Sequence, residues 1–215
     1  MSYKYYSPLI CICLVLLATC NVQADQTFSS QVDFLGAAGA VTTETFENSP
    51  NVGSPGSGAM EMLIFDLFEV TSNPPALKVF DLPMFGNFNT TPGGTRYLAA
   101  DTDYGEREAD LTFSFNSPVR SFGFFLIDAD ADHTVEVHSS EFVVPGLGDG
   151  SVAYFGIVAD QPFTNVIVNG GFEDSFFSID DVSIGSVPEP SSAIVTIGVL
   201  CFAAVRRKKP LFLAG

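Results

Sequence analysis

Tryptophan is absent from the 215 residues, histidine occurs twice, and all four cysteines (Cys11, Cys13, Cys20, Cys201) lie near the two ends. Each shortage excludes something. Without cysteine between residues 25 and 187, that stretch forms no disulfide, although an oxidising compartment would permit one. Basic residues are equally scarce there: Lys78, Arg96, Arg107 and Arg120 stand against 24 acidic residues, a net charge of −20. Nucleic-acid binding needs clustered Lys and Arg to neutralise phosphates, so it is excluded. His133 and His138 are five apart and would face opposite sides of one strand, which removes a histidine pair from catalysis. No Gly-x-Ser-x-Gly elbow is present, and no cysteine nucleophile lies in the central stretch. Gly146-Leu147-Gly148-Asp149-Gly150 precedes no helical pattern and reads as a turn, not a phosphate loop. A carboxylate pair is the one enzyme chemistry the composition leaves, and the expectation is that this chain is not an enzyme.

What the chain has in quantity is phenylalanine (21), glycine (19) and proline (13), a mixture that suits short strands joined by turns. An apolar fraction of 47% is too high for a disordered chain despite the charge. Period-2 alternation recurs from residue 25 to 187. Leu111, Phe113 and Phe115 share one face, and the run 122–127 is apolar on both faces, as in a central strand. Further strands are predicted over 42–46, 60–70, 76–80, 96–100, 135–138, 152–158, 165–168 and 176–184, with no helix-period stretch bearing caps. About ten strands with hairpin-like spacing predict an all-β fold, a single antiparallel β-sandwich of jelly-roll type with one core. Loops are predicted over 48–58, 73–75 and 87–94, and no internal repeat is present.

Both ends carry addresses. Lys4, an apolar run over 9–18 and Val22-Gln23-Ala24 form a secretory signal peptide over 1–24, cleaved by signal peptidase before Asp25. Ten apolar residues fall short of the roughly 20 that span a bilayer. A competing reading, a lipoprotein signal at Leu17-Ala18-Thr19-Cys20, is disfavoured by the threonine before the cysteine. At the other end, Pro188-Glu189-Pro190 precedes an apolar segment over 193–205, closed by Arg206, Arg207, Lys208 and Lys209. As a helix that 13-residue segment covers about 20 Å of a core about 30 Å thick, a short anchor. Basic residues flanking both apolar segments place both ends on the cytoplasmic side and the middle outside.

This order of Pro-Glu-Pro motif, apolar segment and basic cluster over 186–209 closely resembles the PEP-CTERM sorting signal. The resemblance implies recognition by a membrane-embedded exosortase, transient anchoring through a short transmembrane helix, and release to the surface or matrix of a Gram-negative bacterium that makes exopolysaccharide. Residues 210–215 extend beyond the basic cluster, where such signals usually stop. The β-sandwich then occupies 25–185.

Two acidic constellations are candidate calcium sites. Asp128, Asp130 and Asp132 alternate in a loop after a strand, where their oxygens can converge on a hard cation. Unlike an EF-hand, this loop lacks glycine at its sixth position and Glu at its twelfth, and a solvated hairpin tip fits the triplet equally well. The second constellation joins Thr45-Phe46-Glu47-Asn48 to Ile179-Asp180-Asp181-Val182. These short motifs resemble the two ends of jelly-roll carbohydrate-binding modules. The resemblance implies a structural calcium held by Glu47 and one of Asp180 or Asp181, stapling first strand to last; the alternative is that the aspartates simply end a strand. Sugar platforms are thin, since Tyr97, Tyr104 and Tyr154 are the only tyrosines between 25 and 187. The expected role is structural or adhesive in an exopolysaccharide matrix, with calcium-dependent carbohydrate binding as the alternative and polysaccharide hydrolysis behind it.

Overall fold

The computed structural model describes residues 24–50, 58–81, 91–101, 109–148, 150–170 and 176–186. The expected signal peptide except its last residue, Ala24, the Pro188-Glu189-Pro190 motif, the apolar segment and the Arg206-Arg207-Lys208-Lys209 cluster lie outside them. Among the described residues, no helix is long and apolar enough to cross a membrane.

The elements run β1 (Gln26–Phe28), α1 (Gln31–Ala38), β2 (Val41–Glu44), β3 (Met62–Ile64), β4 (Phe68–Asn73), β5 (Leu77–Phe80), β6 (Tyr97–Asp101), β7 (Asp110–Ile127), β8 (His133–Val137), β9 (Ser140–Val144), β10 (Val152–Asn169) and β11 (Phe176–Ser186). Every strand pairing is antiparallel. The order β5-β6-β11-β7-β10-β8-β9 is continuous, with β1 on β10, β2 on β11, and β3-β4 on β7.

Two 18-residue strands, β7 and β10, make this a sandwich. They pair with each other along both halves, through register shifts between Val158 and Asn165. One half of the ribbon (121–127 with 152–158) belongs to a layer with β11, β6, β5, β2 and β1. The other half (111–115 with 165–168) belongs to a layer with β4, β3, β8 and β9. The bend between them explains why 111–115 and 122–127 read in the sequence as separate strands, as did 152–158 and 165–168. Pro118 and Pro162 sit at the corners, where a missing ladder N–H is tolerated.

One hydrophobic core fills the space between the layers. Phenylalanines run through it in ring-to-ring contact, from Phe68 to Phe113 (5.5 Å), Phe122 (5.3 Å), Phe124 (5.5 Å) and Phe155 (5.8 Å). A smaller cluster of Phe80, Tyr97 and Ala99 lies apart from it.

Three local expectations are corrected. Residues 31–38 form a capped helix: the Ser30 hydroxyl accepts from the Asp33 N–H, and Gly39 closes it at φ 75°, donating to the Leu35 carbonyl. Its only buried residue is Phe34, so no apolar stripe exists for a periodicity to register. The run 60–70 divides into β3 and β4 at a turn where Phe65 N–H bonds the Phe68 carbonyl. Strands β1 and β9 were not anticipated; neither carries an alternation long enough to show.

Candidate cation site

Strand β11 carries a bulge. Its register against β7 jumps between Asp180, opposite Phe125, and Ser183, opposite Gly123. Ile179 and Val182 both enter the core, which leaves Asp180 and Asp181 together on the opposite face of the strand. Asp181 adopts φ 51°, in the left-handed region. On the neighbouring β2, Glu44 pairs with Val182, and the chain then turns at Phe46, also left-handed at φ 60° and fully buried. The Phe46 N–H donates to the Glu44 carboxylate at 2.8 Å, which fixes this turn. Glu47 is thereby delivered towards Asp181.

Between them runs the segment Thr91-Pro92-Gly93-Gly94-Thr95-Arg96. The Gly93 N–H donates to Asp181 Oδ2 at 3.0 Å. The Thr95 and Arg96 N–H groups donate to Glu47 Oε1 at 2.7 and 2.6 Å. Arg96 also donates from its guanidinium to the Glu47 carbonyl (2.6 Å) and pairs with Asp81 (3.3 Å). The glycines are required by this approach. A Cβ on Gly93 would overlap the Asp181 carboxylate, one on Gly94 would overlap that of Glu47, and Gly94 lies at φ 140°. In the sequence these two glycines fall in the loop predicted over 87–94, with no site attached to them.

The two aspartates divide the work. Asp180 is fully buried and accepts from the Thr91 hydroxyl and from the Asp181 N–H (2.8 Å). Asp181 is 2% exposed, yet among the described residues its Oδ1 has no hydrogen-bond partner. Burial pushes the Asp181 carboxyl above the usual carboxylate range, the Gly93 N–H partly opposes this, and the nearby Glu47 charge adds to the rise. An orphaned carboxylate oxygen, a second carboxylate close by and a cradle that only glycines can line fit a hard divalent cation such as calcium. Of the alternatives left open in the sequence, Asp181 is the one that faces Glu47.

Asp128, Asp130 and Asp132 have a different setting. Asp128, at φ 59°, accepts the Gly150 N–H at 2.5 Å, and Asp132 accepts the Gly146 N–H at 3.0 Å. Both carboxylates thus tie the loop after β7 to the turn before β10. Among the described residues, no group of three or more acidic, histidine or cysteine side chains converges as a metal cluster. The histidines do not share the one strand expected of them: His133 is buried in β8 against Phe177 (4.4 Å), while His138 lies beyond the end of β8, at φ 57°, with Nε2 near the Pro162 carbonyl.

A groove of about 420 Å³ opens between β1, β9 and the start of β10, lined by Thr27, Phe28, Glu141, Phe142, Tyr154 and others. Nothing in the sequence singled it out.

No protein-family model matches the chain, and no curated protein matches it. Among solved structures it is similar to the K1 cleaved adhesin domain of Lys-gingipain from Porphyromonas gingivalis W83, at 14% identity over 70% of this chain and 100% of that one, with a TM-score of 0.41. The K2 cleaved adhesin domain of Lys-gingipain gives 12% identity, 67% and 99% coverage and 0.42. The C-terminal family 22 carbohydrate binding module of Clostridium thermocellum Xyn10B gives 12%, 67% and 92%, and 0.37. Likeness at these scores transfers neither residue roles nor ligands.

Proposed function

We propose that this chain is an exported, non-catalytic β-sandwich with a structural or adhesive role in an exopolysaccharide matrix. The observation that carries delivery is the order of Pro188-Glu189-Pro190, apolar segment and basic cluster, which fits recognition and release by an exosortase-type membrane enzyme. In this reading signal peptidase removes residues 1–24, the segment 193–205 anchors the chain briefly, and the sandwich ends at the cell surface or beyond it. Replacing Pro188 and Pro190 with alanine leaves the protein full-length and membrane-bound in a host that has the sorting enzyme. Normal release of that variant overturns the reading.

Calcium belongs to the same proposal. A stretch with net charge −20 and no disulfide loses stability to self-repulsion, and a cation bound only by the folded state offsets that loss. Support for the site is the meeting of Glu47 and Asp181 over Gly93 and Gly94. Bound there, the ion supplies charge neutralisation alone; the residues do the positioning. Glu47 follows β2 and Asp181 lies within β11, so the ion would tie an early strand to the last one.

The groove beside β9 favours a second reading, calcium-dependent glycan binding. Its lining mixes aromatic rings, the Glu141 carboxylate and hydroxyl residues, the combination that holds a sugar's apolar face and its hydroxyls. Glycan-array binding that disappears with a chelator and with Phe142→Ala is its expected signature; binding indifferent to both removes it.

A further inference from the structure

Among the described residues, the buried Asp181 Oδ1 and Tyr154 hydroxyl, on one face of the β11-β7-β10 layer, are both without a hydrogen-bond partner. The register shows why they are neighbours. Tyr154 pairs with Phe125 on β7, and Phe125 pairs with Asp180 on β11. The Tyr154 ring lies against Phe125 at 5.0 Å and its hydroxyl extends over Gly123, where a Cβ would overlap it. Gly123 pairs with Ser183. The hydroxyl therefore ends level with the stretch of β11 between Asp180 and Ser183, which is the bulge that carries Asp181. Tyr154 is 8% exposed, so water does not freely reach this end of the ring. Burial and then the Asp181 charge both push the phenol up, far above any physiological pH, and it keeps its proton.

A phenol hydrogen and a carboxylate oxygen that met directly would satisfy each other. Neither bonds the other, and neither has another partner among the described residues, so both atoms remain available to a polar third group. The Glu47 charge acts on Asp181 and the Asp181 charge on Tyr154, and this negative charge selects a cation and its water over a neutral molecule or an anion.

We propose that Tyr154 is a positioning residue of the cation site, its hydroxyl holding a water of the calcium shell against Asp181 Oδ1. This rests on the calcium reading above. Calcium keeps water among its six to eight oxygen ligands, so a neutral hydroxyl beside the site has a natural role.

The test compares the wild-type full-length chain in detergent solution with Tyr154→Phe and Asp181→Asn. Calcium affinity is measured by calorimetry, and melting temperature is measured in calcium and in chelator. Losing one hydrogen bond in the ion's shell should weaken calcium roughly tenfold in Tyr154→Phe. In chelator the same variant should melt at or above wild type, because it removes a buried hydroxyl that has no partner among the described residues. A residue that only packs would lower melting equally in both conditions and leave the affinity unchanged, and that outcome overturns the proposal. If wild type binds calcium and Asp181→Asn does not, while Tyr154→Phe binds like wild type, only the role of Tyr154 falls. If wild type binds no calcium at all, the calcium reading falls and takes this one with it.

Discussion

Alanine substitutions at Gly94 and Gly148 separate backbone strain from the anchoring of Glu47. Both residues hold positive φ, 140° and 87°, so both substitutions force an L side chain into a disfavoured backbone region. A Cβ on Gly148 meets nothing within 4 Å, so Gly148→Ala carries the backbone term alone, about 1–2 kcal/mol. A Cβ on Gly94 displaces the Glu47 carboxylate. Glu47 Oε1 then loses the Thr95 and Arg96 N–H donors, now at 2.7 and 2.6 Å. Hydrogen bonds to a charged group contribute about 1.5–3 kcal/mol each, and the low end applies because Glu47 is only half-buried. With about 1–3 kcal/mol of backbone strain, Gly94→Ala should cost about 4–6 kcal/mol in all. For a domain of this size that is a fall of roughly 8–24 °C, against roughly 2–8 °C for Gly148→Ala. Thermal unfolding followed by circular dichroism reads both, and the calcium-induced rise in melting temperature should survive in Gly148→Ala and vanish in Gly94→Ala. Falls within a few degrees of each other would refute the role given to Glu47.

Asp181→Asn should change the pH dependence of stability in calcium-free buffer. The folded-state pKa of Asp181 is raised, so its ionised form opposes folding; wild type should gain stability as pH falls from neutral through that value, and the asparagine variant should lack this part of the gain. Identical pH profiles would contradict the assignment. Phe34→Ala should cost about 3–5 kcal/mol, since the fully buried ring fills a trough over Gly123 and Gly156 and touches Phe28 and Tyr154. Denaturant melts check this, and a loss below about 1 kcal/mol would mean α1 is not clamped by that ring.

Sequence alone reached the strands whose alternation is strong, such as 111–115 and 135–138, because burial on one face writes itself into the residue types. It missed what depends on bends and bulges. Asn116-Ser117-Pro118 fell between two predicted strands, yet it is where β7 passes from one layer to the other. Glu47 and the aspartates were reached through a resemblance, not through spacing, and the choice of Asp181 over Asp180 needed the bulge. Gly93 and Gly94 had the composition of an ordinary turn; only the carboxylates beneath them show why no side chain fits. Tyr154 entered the sequence reading only among the scarce sugar platforms; its place beside the aspartates is set by register across two strands.

Strand β11 ends at Ser186, two residues before the Pro188-Glu189-Pro190 motif, and it lies inside the sheet, with β7 on one side and β6 and β2 on the other. Any tension applied through the C-terminal tail would therefore act along a strand held on both flanks. Its register against β7 involves seven residue pairs, and its registers against β6 and β2 involve four each. A pull along the strand axis shears these contacts together and cannot peel them one at a time from an edge. For a domain tethered by its tail while its body is dragged by a hydrated polymer, rupture would demand that the whole strand slide at once. A cation bridging Glu47 and Asp181 would pin β11 partway along its length, against that same direction of slip.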